Sequence, residues 1–108
     1  MSPPPFTIDV RRDAGADTAT LVLSGELDIV TYEGFGRAAT QLREQGVRHT
    51  TVDLSDLDFM DSMGIRALIE IHKDTAADGG TATFIEGARI SRIVDLSGMR
   101  SVLPFVTA

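Results

Sequence analysis

At 108 residues the chain is long enough for one buried core and too short for two. Its 43% hydrophobic and 24% charged content is that of an ordinary globular domain, which excludes wholesale disorder. It has no cysteine, which removes disulfides, thiolate metal sites and thiol nucleophiles, and a staple-free domain of this size fits a cytoplasmic home. The net charge of -6 argues against nucleic acid as the main partner, because basic residues are scattered rather than gathered into a stripe.

Met1 to Pro5 reads as a stiff, extended leader with neither the basic region nor the apolar run of a signal peptide or membrane anchor. The domain is expected over 6–108, and no apolar stretch approaches bilayer length. Phe6 to Val10 alternates apolar and polar residues, the pattern of a half-buried strand. A polar turn containing Gly15 leads to a β-branched, apolar strand over Thr18 to Leu23, and the two predict an antiparallel hairpin. Gly25-Glu26-Leu27-Asp28 ends that strand. Thr31 is placed to cap a helix reaching about Gln45, with Phe35, Ala39 and Leu42 at helical spacing, and Gly46 stops it.

A strand from Arg48 to Leu54 follows, then an acidic loop to Asp61. A helix opening at Ser62 carries Ile65, Leu68, Ile69 and His72 at i, i+3, i+4 and i+7, and ends near Asp78-Gly79-Gly80. Thr81 to Ile85 is a further strand. A helix from Ala88 with Ile90, Ile93 and Val94 on one face stops at Gly98. The run Val102 to Val106 is expected to return as an edge strand, because Pro104 lacks a donor.

The order β-β-α-β-α-β-α predicts an α/β domain: a mixed open sheet of four to five strands, an N-terminal antiparallel hairpin, parallel later strands and three or more helices. Loops leaving the carboxyl ends of parallel strands gather at one sheet edge, where binding sites form in open α/β sheets. Gly25 to Asp28, Ser55 to Ser62 and Glu86 to Ala88 are therefore expected side by side.

Ser62 is the residue on that edge with the most chemistry to offer. As an N-cap, its oxygen would accept a first-turn amide and stabilise by about 1 kcal/mol. A helix N-terminus also favours a phosphate, because free amides and the dipole point at it. Gly64, in the first turn, costs about 1 kcal/mol relative to alanine, so packing or the approach of a partner must account for it.

Other chemistries fail on specific residues. Asp53, Asp56, Asp58 and Asp61 lack the glycine and terminal glutamate of a calcium loop, and the early acidic pair of an aspartyl-phosphate site is missing. They read as a solvated acidic edge. A nucleophile elbow would need glycine where Met60 stands, and neither His49 nor His72 is placed to activate Ser62. There is no phosphate-binding loop and no dinucleotide fingerprint. Nothing reads as an enzyme, and no cofactor or metal is implied.

Gly25-Glu26-Leu27-Asp28, Val52-Asp53-Leu54-Ser55, Phe59-Met60-Asp61-Ser62-Met63-Gly64 and Leu96-Ser97-Gly98-Met99 resemble, in order and spacing, the STAS domains of bacterial anti-sigma factor antagonists. The resemblance runs from about Phe6 to Phe105. It implies a partner-switching protein that, when unphosphorylated, binds an anti-sigma factor with serine kinase activity and so frees a sigma factor. The kinase phosphorylates the serine matching Ser62, and a serine phosphatase reverses the change. Asp28 and Asp61 match acidic positions of the family motifs and are expected to border the docking surface with Asp58, Met63, Gly64 and Arg66. Many relatives carry a second hydroxyl residue where this chain has Met63, a soft apolar contact instead. Arg66 is positioned at i+4 to neutralise a phosphoserine in part. The alternative is a STAS domain without the switch, serving as a scaffold in a larger signalling assembly.

Overall fold

The structure is a computed structural model that describes residues 5–13 and 17–107. The leader's residues 1–4 and the turn glycine Gly15 lie outside the described residues.

Ten consecutive residues of the central hairpin strand alternate half-buried and buried, because the side chains of a strand point to its two faces in turn. That strand is β2 (Thr18–Leu27), and β1 (Thr7–Arg12) pairs with it antiparallel. Helix α1 (Tyr32–Glu44) leads to β3 (His49–Met60), α2 (Ser62–Ala77), β4 (Thr81–Glu86), α3 (Ser91–Ser97), a short 3-10 turn (Met99–Ser101) and β5 (Phe105–Thr107). The five strands form one sheet in chain order, with β2 to β5 mutually parallel. The predicted mixed open sheet is present.

One face of the sheet is covered. Leu21, Leu23, Val52, Leu54 and Phe84 meet Phe35, Leu42, Leu68, Ile71 and Val94 of the helices, all at most 4% exposed. Burying each such side chain contributes roughly 2 kcal/mol, which makes this layer the main source of stability. The buried face of α2 is Gly64, Ala67, Leu68, Ile71 and Thr75; Ile65 and Ile69 pack partly against the core, and His72 is half-buried at its rim. The apolar stripe therefore lies slightly rotated from the expected one, since Ala67 and Gly64 bring the helix close where larger residues would hold it away.

Several boundaries differ from expectation. Strand β2 continues through Leu27, and β3 continues to Met60 where an acidic loop was expected. Leu57 and Met60 are buried and pair with Gly25 and Leu27, so their burial outweighs the poor strand propensity of the intervening aspartates. Two register shifts interrupt this ladder, and the second leaves Asp58 without a partner on β2. Helix α3 begins at Ser91 rather than Ala88, with the fully buried Ile90 at its N-cap. Val10 is 46% exposed on β1, the outermost strand of the sheet.

Candidate functional site

Three chain segments converge beyond the carboxyl ends of β2, β3 and β4, as the strand order predicts. The Asp61 amide donates to the Leu27 carbonyl at 3.2 Å, joining the end of β3 to the end of β2. The loop after β4 closes against β3 at Gly87, where a Cβ would come within 2.6 Å of the Ser55 Cα.

The Asp28 carboxylate accepts from the Val30 and Thr31 amides at 2.9 and 3.2 Å, a local turn that suits an aspartate. Thr31 sits at the N-cap of α1, but its hydroxyl bonds elsewhere. It accepts from the Asp28 amide at 2.9 Å and donates to the Glu26 carbonyl at 2.8 Å, stapling the turn instead of the helix.

The cap of α2 is Asp61, not Ser62. Asp61 has extended backbone, and its Oδ1 accepts from the Met63 and Gly64 amides at 2.9 and 3.0 Å. Its second oxygen accepts from the Ile29 amide at 3.1 Å, so one carboxylate holds both the helix start and the β2–α1 turn. A carboxylate has two separate oxygens, one for the helix start and one for the turn, where a hydroxyl has a single oxygen position. Ser62 is thus the first helical residue, exposed and outside the cap bonding.

Gly64 is buried, and the close approach that requires it is internal. A Cβ there would lie 2.2 Å from the Leu27 carbonyl oxygen. Gly64 therefore packs the first turn of α2 onto the end of β2 and offers no surface to a partner. Met63 is half-buried beside it. Arg66 bonds Glu70 one turn further on at 3.0 Å, directed away from Ser62. Asp58, freed from the ladder by the register shift, meets Arg89 of the β4–α3 loop at 2.7 Å.

Sequence reasoning missed Arg89, and nothing local to it signals that role. It also missed the apolar character of this edge. Ile29, Val30 and Phe59 are 65%, 82% and 45% exposed. The pair Ile29-Val30, standing just after the strand's alternation ends, is the signal that could have revealed it.

At the end of β4, Glu86 is buried, and Arg100 grips both its oxygens at 2.7 Å and reaches Asp95 at 2.6 Å. Hydrogen bonds from Arg100 hold the Glu86 carboxyl below its ordinary range, against the opposing effect of burial. The same bonds, to Glu86 and then Asp95, raise the arginine further above its usual value.

Neither histidine can activate Ser62. His49 opens β3 and bonds Thr81 at 2.9 Å, at the far end of the sheet. His72 lies about 15 Å further along α2 at the rise of an α-helix. A groove of about 580 Å³ runs between α1 and α2, floored by Ala39, Ala67 and Ile71, and Ser62 is not among its lining residues. Among the described residues no cluster of His, Asp or Glu is arranged to hold a metal, and no helix is long and apolar enough to cross a membrane. Ser62 thus presents an exposed hydroxyl on a sheet edge that also carries the exposed side chains of Ile29, Val30 and Phe59.

The fold has solved counterparts. An anti-sigma factor antagonist from Mycobacterium paratuberculosis superposes with a TM-score of 0.78 at 22% identity, covering 94% of this chain and 85% of its own. The anti-sigma factor antagonist SpoIIAA in its unphosphorylated form matches at 0.75 and 20% identity, covering 96% of this chain and 88% of that one. The phosphorylated form of SpoIIAA, described as a Bacillus cell fate determinant, matches at 0.70 and 19%, covering 96% and 91%. These identities speak for the shared architecture alone. The STAS domain family model matches residues 7–105, nearly the whole described chain, and the protein belongs to the STAS domain family.

Proposed function

We propose that this protein is an anti-sigma factor antagonist of the partner-switching kind, controlled by phosphorylation of Ser62 and acting in the cytoplasm. Unphosphorylated, it binds an anti-sigma factor that is also a serine kinase, and a sigma factor is released. The observation that carries the reading is the exposed Ser62 hydroxyl at the start of α2, outside the cap bonding, on the same sheet edge as the exposed Ile29, Val30 and Phe59. Membership of the STAS family and the fold shared with both phosphorylation states of SpoIIAA support it.

In this reading Ser62 is a substrate residue. Its Oγ attacks the γ-phosphorus of ATP, ADP departs, and the hydroxyl proton passes to the kinase's base, with magnesium also held by the kinase. A serine phosphatase hydrolyses the ester with water and returns inorganic phosphate. The phosphate adds about -1.5 to -2 charges to an edge already bearing Asp28, Asp58 and Asp61. It must be desolvated if an apolar contact over Ile29 and Val30 is to persist, and the complex weakens. Arg66 can turn from its exposed pair with Glu70 toward the phosphate, since exposed pairs of that kind contribute little.

Incubation with ATP and candidate anti-sigma kinases, followed by intact mass and peptide mapping, tests the reading. One phosphate at Ser62, lost in Ser62→Ala, is the expected result. Binding to such a kinase that ignores both Ser62→Ala and Ser62→Asp would identify a scaffold without a switch.

A further inference from the structure

Among the described residues strand β1 lies at the edge of the sheet, paired with β2 on one side alone. The other side carries a row of backbone donors and acceptors able to accept another strand. Five of the strand's six residues are exposed. Charged side chains on an edge usually discourage such pairing. Here their order along the strand, Asp9-Val10-Arg11-Arg12-Asp13, is complementary to itself.

Two copies joined antiparallel about a two-fold axis perpendicular to the sheet keep each residue on its own face, so only residues of matching parity can stand opposite one another. With Val10 opposite Val10, Asp9 of each copy faces Arg11 of the other, and Ile8 faces Arg12, whose stem can cover it. Sliding the register by two residues one way sets Asp9 against Asp9. Sliding it the other way sets Arg11 against Arg11 and Asp9 against Asp13. A single register therefore places opposite charges together and also pairs the exposed Val10 side chains, 46% accessible in one copy. Within one copy Asp9 and Arg11 already meet at 3.0 Å on the same face, with side chains 60% and 69% exposed, so their exchange across an interface costs little.

We propose that β1 is a homodimerisation strand through which a second copy of this chain extends the sheet across Val10. The contact lies at the sheet's outer edge, on the far strand from β4 and its loop, and its existence does not depend on phosphorylation of Ser62. Its small area places it among weak, reversible interfaces.

Sedimentation equilibrium of the full chain up to about 1 mM is expected to show a reversible dimer of the weak class. Asp9→Arg and Arg11→Asp each set like charges opposite and should raise the dissociation constant roughly tenfold or more. An equimolar mixture of those two variants recreates both attractive pairs, so it should form a heterodimer as tight as the wild-type dimer. The double variant should self-associate likewise. Far-ultraviolet circular dichroism confirms that each variant is folded. A wild-type chain monomeric throughout, a dimer indifferent to the reversals, or a mixture no tighter than its components would overturn the proposal.

Discussion

Asp61 takes the whole of the α2 cap and leaves the adjacent Ser62 hydroxyl exposed. Because Asp61 caps α2 and also holds the Ile29 amide, Asp61→Ala should lower unfolding free energy by about 2 kcal/mol in urea denaturation. Ser62→Ala, which removes no cap bond, should change it by less than about 0.5 kcal/mol and, under the proposed function, abolish phosphorylation. Gly64→Ala drives a methyl group into the Leu27 carbonyl and should cost about 2 kcal/mol or more, read in the same experiment. The place of Ser62 at the start of α2, on the carboxyl edge of the sheet, was legible, but its expected cap role was not correct. The sequence Asp61-Ser62 offers two capping residues in succession, and only the geometry of β3 decides which of them has extended backbone. The burial of Gly64 was half legible: its cost to the helix demanded a close neighbour, and the neighbour is the carbonyl of Leu27.

At the scale of elements, periodicity located the three α-helices and the five strands of the described residues, but it misjudged where β2 and β3 end and where α3 begins. It also missed the 3-10 turn at Met99–Ser101, and set the last strand at Val102 to Val106 where β5 is Phe105–Thr107. Strand β3 contains Asp53, Ser55, Asp56 and Asp58, residues that disfavour strands, and its register shifts break the alternation by which a strand is read. What keeps it extended is burial of Leu57 and Met60, a consequence of tertiary packing. The shift that frees Asp58 also produces its pair with Arg89, and Arg89→Ala should cost less than about 1 kcal/mol of stability, as exposed ion pairs do. The β4–α3 connection depends on charge of another kind. Glu86 has a folded pKa below its ordinary 4.5, so its contribution is present above that value and is lost as pH falls through the folded value. The difference in unfolding free energy between the wild type and Glu86→Gln should therefore be largest near neutrality and narrow on acidification, which denaturant titrations over that range would measure.

Across the whole molecule the acidic balance of -6 sets long-range behaviour that no single contact controls. Under the proposed function, association with a basic partner surface should slow as ionic strength rises, while dissociation changes less, and stopped-flow measurements over a salt series would separate the two. Under the same proposed function, the extension of β3 to Met60 bears on how a kinase would recognise Ser62. Many phosphorylation sites lie in loose segments that can be drawn into a groove and read as a string of side chains. Ser62 instead follows directly from a paired strand and begins a helix, with its neighbours fastened to β2 and to the α1 turn. Drawing it out would break the Asp61 cap and lift Gly64 from the core. A kinase acting on this serine must accept a shape, with Ile29 and Phe59 brought to it from separate strand ends, so a synthetic peptide spanning 56–66 should be a far poorer substrate than the folded domain.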